Sequence, residues 1–300
     1  MLCLVTPKFE EVSRLGAALD PKTALPELAA ARGGAADFVA QLEGAALAEP
    51  RRRGKLLWVP FAEGASPAGS SAVASRSAPR ALMTHLGMSG QMLLPGPGAV
   101  DDRHLRIRIG VEGPAGRFGI AFVDQRTLGS LAVDPLVATP DVADELVPSQ
   151  ALHIARDPLD PHFDESAVIA ALARRRSPIK AALLDQTFVS GIGNIYADES
   201  LWMARLNPRQ PACTISTRKL RELLGAVRLV LEKALAEGGT SFDAQYVNVN
   251  GQAGYFAHSL HAYGRHGKPC DRCGRALIRE QFQNRNSHFF PKCQRLGCGD

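Results

Sequence analysis

The sequence predicts an α+β protein, with a β-rich amino-terminal part, a helical middle and a small cysteine-bearing β module at the end. Three observations predict it. Segments of the first half alternate polar and apolar residues, the period of a half-buried strand. Past about residue 135 the apolar residues recur at helical spacing instead. Four of the six cysteines fall at or after position 270.

Taken in order, Glu10 and Glu11 read as the exposed face of an amino-terminal helix. The clearest strand is His104-Leu-Arg-Ile-Arg-Ile109, and residues 55–61, 81–86 and 118–123 read likewise. Residues 63–80 are rich in Ala, Ser, Gly and Pro without periodicity and read as a loop that carries no chemistry. The connection Asp157-Pro-Leu-Asp-Pro161 leads into helices expected over 164–175, 178–186 and 195–204, then a long one opening at Ser216. On that last helix Leu220, Leu223, Leu224, Val227, Val230, Leu231, Ala234 and Leu235 share one face and read as core, with Gly238-Gly239 as the stop. These elements divide the chain into domains at 1–135, 150–254 and 255–300.

At 45% hydrophobic and 22% charged, the 300 residues can bury real cores, so disorder is not expected. No apolar run reaches the roughly 18 residues of a membrane helix, and the start has no signal-peptide pattern. A cytoplasmic monomer without membrane contact is expected. The net charge of +5 is uneven: residues 256–300 hold eight Lys or Arg against three acids. Such a module suits a polyanion, although charge alone fits a solvated surface equally well. Clustered cysteines in a cytosolic chain bind metal more often than they form disulfides. Cys3 and Cys213 stand apart and read as small half-buried residues.

The sharpest signal is Leu184-Asp-Gln-Thr-Phe-Val-Ser-Gly-Ile-Gly-Asn-Ile-Tyr-Ala-Asp-Glu199. Two glycines turn the chain between helices and open a new helix near Asn194, so backbone amides and the Asn194 side chain can face a phosphate. In the tail, Cys270-x2-Cys273-x19-Cys293-x4-Cys298 is close to the paired spacing of a four-cysteine zinc ribbon, whose metal holds a hairpin too small to fold alone.

At the Gly-turned stretch the sequence resembles the formamidopyrimidine-DNA glycosylase and endonuclease VIII family. Arg52-Arg-Gly-Lys55, His85-Leu-Gly-Met-Ser-Gly90, Asp124-Gln-Arg-Thr-Leu-Gly129, Gly238-Gly-Thr-Ser241, Gly254-Tyr-Phe256 and Tyr263-Gly-Arg265 follow the family in order. The formamidopyrimidine branch fits better than the other. The resemblance implies an N-terminal β-sandwich, a helix-two-turn-helix domain and a zinc-finger hairpin. It implies a repair glycosylase with lyase activity on double-stranded DNA, flipping out oxidised purines such as 8-oxoguanine and nicking by β,δ-elimination.

The resemblance also implies roles. Met88 fills the void left by the flipped base, with Arg126 and Leu128 facing the orphaned partner, and the family more often has Phe at the last position. Lys55 contacts the phosphate beside the lesion and serves the elimination as a proton donor. His85, His104, Arg176, Asn194 and Tyr255 are matched to DNA contacts, and Arg285, on the finger tip, to the phosphate of the flipped nucleotide. The family's third finger cysteine falls at Phe290 here. Three readings of the finger stay open: Cys298 completes the zinc site, His288 supplies a nitrogen, or the metal is lost and Phe282, Phe289 and Phe290 hold the finger by packing.

The family attacks the sugar with an N-terminal proline followed by glutamate, an α-amino group being neutral near pH 7 far more readily than a lysine. After removal of Met1 this chain would present Leu2 and Cys3, and Pro7 is internal. The readings are an enzyme whose start, with Pro-Glu, lies ahead of this register; a damage-binding protein; or an enzyme using the Leu2 amine or Lys55. The presence of Lys55, Asn194 and Arg285 favours the enzyme. A polypeptide starting at Met1 or Leu2 is expected to bind an 8-oxoguanine duplex while excising weakly.

Overall fold

The computed structural model describes residues 18–20, 34–62, 78–95, 102–113, 116–237 and 256–297. Leu2, Cys3, Pro7, Glu10, Glu11, most of the 63–80 loop, Gly238-Gly239, Tyr255 and Cys298 lie outside them. Two units emerge, one of the described residues up to 152, the other of those from 153 on.

In the first unit the strands are β1 (Ala18–Asp20), β2 (Arg51–Arg53), β3 (Leu56–Pro60), β4 (Arg80–His85), β5 (Gly90–Leu93), β6 (Leu105–Gly113), β7 (Gly116–Asp124), β8 (Ser130–Ala138) and β9 (Leu146–Pro148). They form two antiparallel sheets, ordered β1-β6-β7-β5 and β2-β3-β4-β8-β9. Side-chain alternation explains the layering. Leu57 and Val59 of β3, Leu82 of β4 and Leu131 of β8 meet Met92, Ile107, Ile109, Val111, Ile120 and Phe122 from the other sheet in one core. Helix α1 (Gly34–Leu42) adds Phe38 and Leu42 to it. The out-of-phase residues Trp58, Met83 and Ala132 join Leu136 and Val147 in a second core. Pro135 lies inside β8, so the sheet continues past the position where periodicity changes.

The second unit contains α2 (Glu165–Leu172), α3 (Ile179–Leu184), α4 (Asn194–Met203), α5 (Thr217–Ala236) and a hairpin of β10 (Ile278–Phe282) and β11 (Arg285–Phe289). Asp164 caps α2 by accepting the Ala167 N–H at 2.9 Å, and Ser216 caps α5 by accepting the Lys219 N–H at 3.3 Å. Both caps satisfy amides that have no partner within the helix. The apolar face of α5 is buried as its spacing requires, against Leu172, Ile179, Leu183, Ile192 and Tyr196. Cys213 is exposed, which corrects the half-buried reading: it sits in a short 3-10 turn before α5 and packs into neither core.

Candidate DNA-contacting surfaces and thiol cluster

In the sandwich, strand register brings the expected residues to one end. His85, the last residue of β4, pairs with Ser130, the first of β8. In the other sheet Gly90, the first residue of β5, pairs with Asp124, the last of β7. The connections 86–89 and 125–129 therefore both cross between the sheets at this end and lie side by side. Met88 at the crest of the first is 60% exposed, Leu128 on the second 53%, and Arg126 is exposed with it. Large exposed apolar side chains beside a cation are uncommon on a bare protein surface, and suit an apolar partner such as a base stack.

Lys55 follows Gly54, whose φ of 56° turns the chain from β2 into β3, and it stands one residue before the Leu56–His85 pair. Burial, reinforced by the Lys55 charge, holds His85 below the usual imidazole range, so His85 is neutral near pH 7. His104 joins the same end, because the Asp124 N–H donates to its carbonyl at 3.0 Å. Its ring accepts from Arg103 Nε at 2.9 Å.

In the second unit the turn between α3 and α4 is held by Gln186, whose Nε2 donates to the Leu184 and Ile192 carbonyls and whose Oε1 accepts the Gly191 N–H. Gly191 has a φ of 82°, which only glycine adopts without strain. Helix α4 then starts at Asn194 with no side-chain cap on Gly193, leaving first-turn amides for an anion. Asn194 has a further partner: its Nδ2 donates one hydrogen to the Asn286 carbonyl at 2.9 Å, so its side chain steadies the finger tip. Arg176 is exposed between α2 and α3, and Arg285 is exposed at the start of β11.

Sequence reasoning missed what anchors that tip. Lys180 and Asp198, 0% and 1% exposed, pair at 2.6 Å. Lys180 Nζ also donates to the Asn286 carbonyl at 3.1 Å. Asp198 further accepts from Ser287 Oγ, the His288 N–H and His288 Nδ1. Burial holds the Lys180 ammonium below its ordinary range, against the pull of Asp198. The signal was available: Lys180 sits in Ile179-Lys-Ala-Ala-Leu-Leu184, and Asp198 precedes Leu201 and Trp202 at helical spacing, so both occupy apolar faces. Glu199 was missed likewise. It is buried, which raises its pKa, and its carboxylate takes the N–H groups of His261, Ala262 and Tyr263, docking the finger's base on α4.

The Sγ atoms of Cys270, Cys273 and Cys293 all lie within 4.8 Å of one another, with Cys270 and Cys293 at 3.8 Å. A tetrahedral zinc with bonds of about 2.3 Å sets its sulfurs about 3.8 Å apart, so the cluster fits that ion. Burial and the two neighbouring thiols push Cys293 up to about 11. Burial also opposes ionisation of Cys270, yet the Arg272 and Cys273 amides hold it below the usual thiol range. A divalent cation would reverse the mutual repulsion of three thiolates. The His288 alternative is corrected: among the described residues only the three cysteines form such a group, and His288 is not part of it. Phe290, at the position of the family's third finger cysteine, is fully buried with Trp202, Ala262, Cys270 and Leu277.

Three family models match the chain. These are the formamidopyrimidine-DNA glycosylase N-terminal domain over residues 14–131, its H2TH domain over 154–245, and the zinc finger found in FPG and IleRS over 267–296. Together with the two sheets and the Gly-turned helix pair, they define a helix-two-turn-helix protein with a sandwich domain and a zinc-finger module. Among curated proteins, the formamidopyrimidine-DNA glycosylase of Leifsonia xyli is 55% identical over 271 residues, covering 87% of this chain and 86% of its own. That of Rhodococcus jostii is 46% identical over 296 residues, covering 96% and 94%. The Fpg crystal structure from Thermus thermophilus aligns with a TM-score of 0.75 at 30% identity, covering 98% and 97%. The Lactococcus lactis Fpg in complex with abasic-site DNA aligns at 0.76 and 22% identity, covering 98% and 100%, and speaks for the fold. The chain belongs to the formamidopyrimidine-DNA glycosylase family.

Proposed function

We propose that this protein is a base-excision repair glycosylase with lyase activity, which flips oxidised purines out of duplex DNA, removes them and nicks the strand. The observation that carries the reading is the pair of exposed loops at one end of the sandwich, with Met88 and Leu128 bare beside Arg126. In this reading Met88 enters the void, Arg126 and Leu128 face the orphaned base, Lys55, His85 and His104 meet phosphates, and Lys55 serves the elimination as a proton donor. Arg176, the open first turn at Asn194, Tyr255 and Arg285 hold the backbone on the other unit. Kinship at 55% identity with a protein named as a glycosylase favours excision over binding alone. The test is incubation of the protein with an 8-oxoguanine duplex under borohydride. Released base and a trapped amine adduct are expected of the protein carrying Pro-Glu at its mature N-terminus, and binding with little or no adduct of the polypeptide that starts at Met1 or Leu2; binding of an abasic-site duplex with neither product from the Pro-Glu form would leave the binding-only reading.

Three domains divide this work in a cytoplasmic monomer: the sandwich, expected over 1–135 but carried on through β9, then residues 150–254 and 255–300. Zinc is held by Cys270, Cys273 and Cys293, with Cys298 as the fourth ligand from an unusual loop, because Phe290 has become part of the finger's core. The logarithm of affinity for an abasic-site duplex is expected to fall linearly with log salt, at a slope of about −0.9 per phosphate neutralised. Arg285→Ala should weaken binding alike on every sequence and flatten that slope by about one. Titration across salt concentrations checks both, and a change confined to lesion preference would remove Arg285 from the phosphate.

A further inference from the structure

We propose that Asp124 and Ser89 are positioning residues that lock the Met88 loop and the Arg126–Leu128 turn into one rigid wedge, so that both enter DNA together. The proposal rests on the reading of Met88, Arg126 and Leu128 as void-filling residues and extends it to two buried groups behind them.

Asp124 is 0% exposed and Ser89 2%. The Ser89 hydroxyl donates to Asp124 Oδ1. The Arg126 N–H points at the same pair, 3.0 Å from Ser89 Oγ and 3.2 Å from Asp124 Oδ1. Asp124 Oδ2 takes the Gly129 N–H at 2.7 Å. One buried carboxylate thus collects donors from both crossings: Ser89 from the first, the Arg126 and Gly129 amides from the second. A carboxylate is tolerated inside a protein only while such donors surround it, and each donor withdrawn leaves charge unsatisfied. Neither crossing can shift alone without that cost.

The backbone agrees. Gly87 has a φ of 59°, and a Cβ there would collide with the Leu128 carbonyl. A Cβ at Gly129 would lie 2.9 Å from the His85 carbonyl. The two crossings are in main-chain contact, and Thr127 is held at a φ of 54°, a conformation non-glycine residues seldom adopt unaided. Two separately mobile loops would have to be ordered at the moment of insertion; a preformed wedge avoids that ordering cost.

The test uses the full chain and a duplex with a tetrahydrofuran abasic-site analogue and 2-aminopurine next to the orphaned base, whose fluorescence rises when the stack is opened. Amplitude at saturating protein reports insertion independently of affinity. Met88→Ala should remove most of the rise. Ser89→Ala and Asp124→Asn should shift the insertion equilibrium against the wedge by roughly tenfold, the usual effect of removing a hydrogen bond to a charged group. Ser89→Thr, which keeps the hydroxyl, should restore the amplitude. Ser89→Ala decides the matter if Asp124→Asn does not fold. Full amplitude in Ser89→Ala alongside loss in Met88→Ala overturns the clasp, as does a Ser89→Ala defect that Ser89→Thr fails to rescue. Full amplitude in Met88→Ala overturns the wedge reading itself.

Discussion

Asp198→Ala is expected to destabilise the helical unit by about 3–5 kcal/mol, because it leaves the Lys180 ammonium buried without its counter-charge. For a unit of this size that corresponds to a fall of about 10–20 °C in melting temperature, followed by thermal unfolding. The magnitude follows from burial: both side chains are essentially sealed from water, so neither screening nor a hydration shell can replace the lost partner. The same substitution removes the acceptor of Ser287, the His288 amide and the His288 ring, and so frees β11 just behind Arg285. DNA binding should therefore weaken beyond what the melting temperature accounts for. The double substitution Lys180→Met with Asp198→Leu separates the two effects. It should recover most of the stability, since apolar replacements of a buried pair are often neutral. It should not recover binding, since the Asn286 carbonyl keeps only Asn194 as its donor from these two. A double variant that binds normally would show that the pair serves packing alone.

The second large effect concerns the metal. Purified protein should carry close to one zinc per chain, and Cys270→Ser should lose it together with DNA binding, because a hairpin of two five-residue strands with one small apolar cluster cannot order itself. Burying Phe290 and Leu277 contributes only about 1.5–3 kcal/mol each, against the roughly 10–16 kcal/mol that structural zinc supplies to isolated fingers. Part of the finger should nonetheless survive metal loss. Its base is pinned to α4 by the three amides on Glu199 and by Trp202, which stacks on His261 at 4.3 Å with Arg272 over its ring at 3.9 Å. Disorder should concentrate around Cys273, Cys293 and the tip. Metal analysis with amide exchange checks this. Cys298→Ser should lower zinc retention where Cys213→Ser does not, and a zinc-free protein with unimpaired binding would show that Phe290 packing has replaced the ion.

The sequence by itself determined the fold class and several elements, though not α1 (Gly34–Leu42) or the strands β2, β5, β8 and β9. Period-two alternation marked β3, β4, β6 and β7, and the leucine-and-valine face of α5 is buried as its spacing demands, because burial of an amphipathic face is a local property of the pattern. Motif order located the Gly-turned helix pair and the exposed loops, since a turn that needs a positive φ announces itself by its glycine. Tertiary structure alone decided what stands behind those motifs. Lys180 with Asp198, and Ser89 with Asp124, are 18 and 35 residues apart, and ordinary polar residues reveal such pairing only when register and helix packing carry them together and exclude water. Asn194 reads as a donor to phosphate, and one hydrogen of its amide also reaches a carbonyl 92 residues away. His288 reads as a possible ligand, yet its ring lies outside the described thiol cluster and its Nδ1 meets a buried carboxylate. Polar side chains have several possible partners, and which one they take is fixed by distance in space, a quantity that local sequence does not encode.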